Sequence, residues 1–503
     1  MPKSPLLIAV SATAWLVLAW VSWGLFAETA ARHGAVTVTV LAGLHAAWMA
    51  LWLWAIHNLI HQLASVLLPR RPLARTGDND RAQVAVLYLT CDDFDPVACG
   101  SCLEQDHRES RLIICDDSRT IEGQGRVDAW VAGRSGDITV VRRGDRRGYK
   151  AGNLNNAIAT VVDEDFFVVC DADEIIPADF VPRLLPYFAA PGIAFVQASH
   201  EARADCATRF SVVLGPTIKL FHDFCLTMRN RFGFVSCYGH GVMIRRSAWR
   251  AAGGFPEIVS EDLGFAARAL AQGQRGVYLP EVKAWEAFPP NYRAFIAKYA
   301  RIAGGTVEFF RREFPALLAS RRASLVETLD ILLTFSYCLG GLVTALSIVG
   351  ALSLSLLYEL EGQSRLPLWI LAIWLLGPST PLLALLSGLC GRPAKALRYF
   401  LTARVLTQGW GLRSPGFEVT GVVATQAEPL VRYALTMASG GAVLLAAVLL
   451  ESPALGPLLC FSLMLLSGPL MTLTERDGAL GLIGRNCSFL PFVALAGYLT
   501  LTG

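Results

Sequence analysis

Charged side chains are scarce in this chain: Asp, Glu, Lys and Arg make up 17% of its 503 residues, against an apolar share of 53%. Soluble domains carry about 25% charged residues, so composition excludes a wholly soluble protein, and a mean hydropathy of +0.45 places part of the chain in lipid. An excess of one sign is also lacking. The net charge of +3 is too small for the basic surface that nucleic acid demands. No G-x-x-x-x-G-K-[ST] loop occurs, which excludes the Walker solution to nucleotide binding. Cys99-Gly-Ser-Cys102 has neither a second pair nor a His cluster after it, so the twelve cysteines read as buried free thiols, not a zinc module or a disulfide framework. Fixed-period repeats and low-complexity tracts are absent as well.

Long apolar segments are abundant. Seven approach the ~20 residues needed to cross a bilayer: 6–26, 38–59, 331–357, 368–389, 433–450, 455–473 and 482–501. The first follows Lys3 as a secretory signal would, but it is long, carries Trp15, Trp20 and Trp23, and leads into a second span without a small-residue cleavage site. A cytosolic amino terminus puts the Arg- and Lys-bearing stretches 70–322 and 392–432 inside and the short linkers 27–35 and 451–456 outside, as the positive-inside bias requires. The expected layout is two N-terminal transmembrane helices (1–69), a cytoplasmic domain (70–325) and a C-terminal transmembrane region (326–503), integral to a plasma or inner membrane.

Within the cytoplasmic stretch, three short apolar runs end in acids. Residues 84–90 lead to Cys91-Asp92-Asp93, residues 111–115 to Asp116-Asp117-Ser118, and residues 166–170 to Asp171-Ala-Asp173. Strands separated by helical lengths of chain predict a parallel α/β sheet, whose ligands collect beyond the carboxyl ends of the strands. A single Asp there commonly caps the next helix, but three clusters at equivalent edges would repel one another without cations or donors. Asp171 and Asp173, one residue apart after a buried strand, form a pair able to hold a hard divalent cation against a diphosphate. Residues 142–150 supply positive charge, and Lys150 leads into a Gly-Asn turn and a helix expected from about Leu154, a geometry suited to phosphate oxygens. Further on, Ser260-Glu261-Asp262 opens a helix over 263–272, and Asp262 in its first turn is the candidate general base.

In this order the pieces resemble the membrane-embedded, inverting family 2 glycosyltransferases, which include cellulose, hyaluronan, chitin and poly-N-acetylglucosamine synthases. The matching residues are Asp116-Asp117, Lys150-Ala-Gly-Asn-Leu-Asn, Asp171-Ala-Asp173, Val196-Gln197, Gly239 before Arg245-Arg246, and Glu261-Asp262. The resemblance implies an α/β GT-A catalytic domain inserted between transmembrane helices, with interfacial helices. It implies that Asp92 or Asp93 and Asp117 contact uridine and that Lys150 meets the diphosphate. Gln197, Glu261 and Arg301 join the nucleotide-sugar site. Asp171 and Asp173 hold the nucleotide and Mg²⁺ or Mn²⁺, and Asp262 deprotonates the acceptor. Two departures stand out. Ile302 follows Arg301 where the family has the Trp that stacks on an acceptor sugar, which leaves Tyr299 or Trp285 to do the stacking. After an interfacial-looking stretch at 397–411, Phe417-Glu-Val419-Thr420 resembles the family's gating loop but lacks its following Lys, Val422 standing there.

The expected activity is elongation of a β-linked polysaccharide from a UDP-sugar, UDP-glucose first and UDP-N-acetylglucosamine second. The glycan would leave through the protein's own spans, with membrane lipid around it and room for accessory export subunits. The alternative is a non-processive enzyme adding one sugar to a lipid or short acceptor. A transporter is disfavoured because the spans hold almost no ionisable residues; His57 and His61, four apart near the cytoplasmic end of the second span, read as an interfacial face.

Overall fold

A computed structural model describes residues 3–69, 81–212, 226–335 and 340–362, with isolated positions elsewhere. Its centre is a seven-stranded sheet in the order β3-β2-β1-β4-β6-β5-β7. The strands are β1 (Val84–Thr90), β2 (Ser110–Asp116), β3 (Ile138–Val141), β4 (Phe166–Cys170), β5 (Ile193–Ala202), β6 (Val242–Arg245) and β7 (Arg275–Glu286). Every residue of β1 and β4 is buried, as expected of strands covered on both faces. Alternation divides them: Ala85, Leu87 and Leu89 face one core, Val84, Val86 and Tyr88 the other.

The three acid-ended strands expected from sequence are β1, β2 and β4, and they are parallel neighbours. Thr90 stands opposite Asp116 and Tyr88 opposite Cys170, so all three acidic clusters leave the sheet at one edge. The expectation of a purely parallel sheet is corrected to a mixed one, because β6 runs antiparallel to both β4 and β5. With Val242 paired to Val169, the residues that precede β6, Gly239 to Gly241, arrive beside Asp171. A bridge between Ile175 and Trp285 likewise carries Glu286, at the end of β7, to Asp173.

Two leading helices, α1 (Leu6–Ala30) and α2 (Ala35–Leu67), are each long and apolar enough to cross a membrane. Trp20 is 78% exposed and Trp23 61%, an outward apolar face that a soluble core helix would have to cover. Helices α3 (Pro96–Leu103), α4 (Ile121–Ala132), α5 (Tyr149–Thr160) and α6 (Phe180–Leu184) flank the first strands. A short turn α7 (Arg229–Phe232) and α8 (Arg246–Ala251) bracket β6, and α9 (Glu261–Ala271) precedes β7. Beyond the sheet lie the amphipathic α10 (Tyr292–Arg312), then α11 (Phe314–Ala319), α12 (Leu325–Phe335) and α13 (Gly340–Leu360).

The expected third span, 331–357, is not one membrane segment at its start. Ile331 belongs to α12 and sits in the core of the sheet domain beside Phe314 and Leu317, and α12 buries Glu327 against Arg275 and Asp330 against Arg229. Those buried ion pairs fasten the helix to the domain. By contrast α13 packs on α2, with Leu354 and Tyr358 against Leu41, Leu44, Trp48 and Met49. The four later expected spans, the stretch 397–411 and the gating-loop residues Phe417, Val419 and Thr420 lie outside the described residues.

Helix α5 also starts earlier than expected, at Tyr149 instead of near Leu154, which places Lys150 in its first turn. Gly148 precedes it at φ +76°, a left-handed position open to glycine at little cost. The Gly-Asn pair is therefore helical and makes no turn. Gly152 serves close packing instead, since a Cβ there would run into the carbonyl oxygen of Arg147. Gly152→Ala should lower the denaturation midpoint by the equivalent of roughly 1–3 kcal/mol, the usual cost of overpacking. Thermal unfolding of the purified protein checks this.

Candidate active site

The rim of the sheet is held by an ion pair between Lys150 and Asp171. Lys150 Nζ donates to Asp171 Oδ1 at 2.6 Å and lies 3.9 Å from Glu261 Oε1. Gly239, at φ +78°, closes the group from the strand β6 side; a Cβ there would stand 3.2 Å from Asp262 Oδ2 and 3.4 Å from Lys150 Nζ. Four segments thus meet: the end of β4, the first turns of α5 and α9, and the loop before β6. Burial opposes the charge on Lys150, yet Asp171, Glu261 and Asp262 raise its pKa above the usual lysine value. Burial lowers that of Arg301 on α10, and Glu261, Asp171 and Asp262 pull in the opposite direction. Both cations therefore share the same three carboxylates.

Burial raises the pKa of Glu261 to about 8, with neighbouring Asp262 adding to the shift. Burial raises that of Asp262 too, and its Oδ1 accepts the Leu263 N–H in the first turn of α9. A carboxylate with raised basicity is suited to accepting a proton near neutral pH.

Asp173 carries a second strongly raised carboxyl. Burial, then Glu286 and Asp171, push its pKa up to about 7. Its Oδ2 accepts the Ala287 N–H at 3.2 Å, and its carbonyl accepts from Arg203, which also donates to Asp95 at 2.7 Å. Tyr88 fixes the same turn by donating to the Ala172 carbonyl at 2.9 Å. An all-oxygen pair on a rigid turn, with uncompensated negative charge, fits Mg²⁺ or Mn²⁺.

The other predicted residues reach the rim, but their side chains are held by the protein. Asp92, at φ +66°, accepts the backbone N–H groups of Arg119 and Thr120 and the Thr120 hydroxyl, so it supports the start of α4. Asp93 turns back to accept from Cys91 N and Thr90 Oγ1. Asp117 forms a two-pronged pair with Arg143 at 2.9 and 2.7 Å, and Arg143 also donates to the carbonyls of Arg147 and Tyr149. Asp116 is paired with Arg142 at 2.6 Å. The basic loop is thereby fastened to the rim. Gln197, fully buried, accepts from Tyr238 N and donates to the carbonyls of His240 and Gly241; it shapes the loop that carries Gly239. Tyr299 stacks on Phe295 at 4.2 Å, and Trp285 is half-buried beside Ile175.

Sequence reasoning missed Glu174, His240 and Glu286. His240 Nδ1 lies 2.9 Å from Glu174 Oε1, its Nε2 3.7 Å from Glu286 Oε2, and its ring stacks on His200 at 4.2 Å. Lys298 lies 3.4 Å from Glu286. The only signals were adjacency to Asp173 for Glu174 and to Gly239 for His240; nothing in the local sequence marks Glu286.

Burial works against a charged His240, but Glu174, Asp171 and Glu286 raise its pKa to about 10 from 6.5. Folded His240 therefore holds its proton more tightly than unfolded His240. Its contribution to stability is fully present below about pH 6.5 and is lost as the pH rises through about 10. Denaturation midpoints of His240→Gln should fall less between these pH values than those of the wild type; parallel curves would refute the pairing.

Residues 166–389 match the family model described as "Glycosyl transferase family group 2". The chain is 28% identical over 248 residues to a probable glucomannan 4-beta-mannosyltransferase of Arabidopsis thaliana, covering 45% of each protein. A second such relative, from Oryza sativa subsp. japonica, is 27% identical over 258 residues, covering 48% of this chain and 43% of the relative. The chain thus spans under half the length of these curated relatives. Among solved structures, it is similar to a mannosyltransferase from Pyrobaculum calidifontis in complex with GDP-Man and Mn²⁺, at 15% identity and a TM-score of 0.41, covering 88% of this chain and 99% of that one. The stretch 166–389 that is similar to the family 2 glycosyltransferase group holds β4 to β7 of the mixed α/β sheet and, with them, Asp171, Asp173, Gly239 and Asp262 of the acid-rich rim.

Proposed function

We propose that the protein is an inverting, membrane-embedded hexosyltransferase that extends a β-linked polysaccharide from a nucleoside diphosphate sugar at the cytoplasmic membrane face. The observation that carries this reading is that Lys150, bound to Asp171, meets Asp262 at Gly239. Positive charge, a cation-binding pair and a base candidate then surround one point. UDP-glucose finds no support among the relatives, whose names specify mannosyl transfer. A mannosyl donor takes its place.

In this reading Asp171 and Asp173 hold Mg²⁺ or Mn²⁺, which supplies positive charge to the leaving diphosphate when bound. Lys150 and Arg301 add fixed positive charge on the same side, in a site where burial makes it effective. Asp262 takes the acceptor hydroxyl proton as the oxygen attacks the anomeric carbon and the bond to the diphosphate breaks, inverting that centre. Glu261, adjacent and buried, keeps negative charge close to Lys150 and so orients it. Asp92, Asp93 and Asp117 shape the nucleoside side through the loops they brace, and Gln197 holds the Gly239 loop beside Asp262. Phe417, Val419 and Thr420 remain the proposed gate.

One observation favours a shorter acceptor: Ile302 offers no aromatic face, and Tyr299 is already stacked on Phe295. A single-sugar transferase is therefore the second reading.

Purified full-length protein is given GDP-mannose, UDP-glucose or UDP-N-acetylglucosamine with Mn²⁺ or Mg²⁺, and product length is measured. Mannose-containing polymer is expected, and Asp262→Asn should lower turnover by roughly 10²–10⁴-fold while donor binding persists. A product one sugar longer than the acceptor would establish the second reading, whereas unchanged turnover in Asp262→Asn would remove the base.

A further inference from the structure

Outside the rim, the most completely buried group of ionisable side chains joins the second membrane helix to the catalytic domain. Asp330 on α12, His57 and His61 on α2, and Arg229 on α7 are each no more than 2% exposed. Asp330 Oδ1 accepts from His57 Nε2 at 2.6 Å and from the Thr334 hydroxyl at 3.1 Å. Its Oδ2 accepts from Arg229 Nε at 3.1 Å and from the backbone N–H of Phe234 at 2.7 Å. An ionised carboxylate offers about four lone-pair sites, and all four are taken.

Two histidines one helical turn apart beside an aspartate suggest a metal site by composition. The geometry argues otherwise. Asp330 has no lone pair left, and Arg229 already balances its charge, so a divalent ion would add uncompensated positive charge to a dry interior. His61 points its Nδ1 at the His57 carbonyl, 3.0 Å away, and its Nε2 stays 4.0 Å from Asp330. Of the two histidines, only His57 bonds Asp330.

The decisive partner is Phe234. It opens the run Phe234 to Gly239, whose residues Phe234, Val235, Ser236 and Cys237 are all at most 5% exposed. Gly233, just before it, lets the carboxylate approach, because a Cβ there would collide with Asp330 Oδ2. An encased segment of close-packed residues passes on a displacement instead of absorbing it. At its far end lies Gly239, so close to Lys150 and Asp262 that a Cβ there would crowd both.

Helix α2 has 33 residues, about 50 Å at 1.5 Å per residue, well over the ~30 Å hydrocarbon core. His57 lies in its last three turns, where the helix can emerge from the hydrocarbon and meet the domain. Lys3, at the foot of α1, donates to the carbonyls of Arg229 and Asn230 at 3.0 Å. Leu7 and Ala64 pack on Met228 and Phe232. Both membrane helices therefore seat on the α7 turn from which the loop departs.

We infer that Asp330 is a positioning residue for the loop Phe234 to His240, set by His57 of α2, so that the seating of the membrane helix fixes how Gly239 meets Lys150 and Asp262. The inference rests on the proposed reading of that site as catalytic. Through this link, a shift of α2 alters turnover more than donor affinity, because the loop borders the base and not the nucleoside.

The test uses full-length protein in lipid nanodiscs, comparing wild type, His57→Ala and His57→Gln, whose amide can still donate to Asp330. In His57→Ala, hydrogen exchange of peptides covering 229–241 should accelerate about tenfold while β1 stays protected, as the loss of one buried hydrogen bond implies. Turnover should fall at least about tenfold with donor KM unchanged within about twofold, and His57→Gln should restore both readouts. Should His57→Ala fail to fold, Thr334→Val, which removes a weaker bond to the same oxygen, should show the same localised exchange. Wild-type exchange at 234–241 in a folded variant, or a turnover loss that His57→Gln fails to repair, overturns the inference. Exchange is read without substrate, so an inert wild type would refute the glycosyl-transfer reading while leaving the coupling separately decided.

Discussion

Crowding carboxylates onto one edge of one sheet is the constraint from which the rest of this structure follows. Parallel β1, β2 and β4 end in register, so their acids emerge together, and like charges in a partly buried rim raise one another's pKa unless answered. The chain answers them in turn: Arg142 meets Asp116, Arg143 meets Asp117, Lys150 meets Asp171, His240 meets Glu174, and Lys298 meets Glu286. Asp173 has no ion pair among the described residues, and its proton affinity is raised accordingly. In the proposed reading a divalent cation answers that charge.

The same balance of charge explains why the basic loop at 142–150 is ordered. Its arginines are bound to the rim and to the loop's own backbone, which seats Gly148 and starts α5 where Lys150 can reach Asp171. The seating of α1 and α2 on the domain enters through a different set of charges. Glu327 and Asp330, buried on α12, tie Arg275, Arg229 and His57 together beneath the domain. One network balances charge at the rim; the other joins α2 to α12 and the α7 turn.

Much of the rim was legible in sequence because an apolar run ending in acids is a local signal: β1, β2 and β4, the Asp171–Asp173 pair at the end of β4 and Asp262 in the first turn of its helix all stand where their neighbours in the chain implied, whereas Lys150 reaches the rim from a helix that starts earlier than expected. What was not legible depends on pairing between distant segments. No local pattern shows that β6 runs antiparallel, yet that reversal delivers Gly239 and His240 to Asp171. Glu286 arrives through a bridge between Ile175 and Trp285, 110 positions apart in the chain. Asp92, Asp93 and Asp117 were placed correctly at the edge, but the donors that bind their side chains could be seen only in three dimensions. The start of the third expected span is misplaced for a related reason: its hydropathy hid that Ile331 packs into the domain core, on a helix that also buries Glu327 and Asp330.

In the proposed reading, the reaction at this rim depends on Asp173 completing a cation site for a sugar diphosphate. That is tested most directly by titrating GDP and UDP into the purified protein with and without Mn²⁺, in wild type and Asp173→Asn. Mn²⁺ should tighten nucleotide binding to the wild type by roughly 5–150-fold, the usual range of coupled binding, and leave binding to Asp173→Asn unchanged. Nucleotide affinity indifferent to Mn²⁺ in the wild type, or equally Mn²⁺-dependent in both proteins, would contradict it.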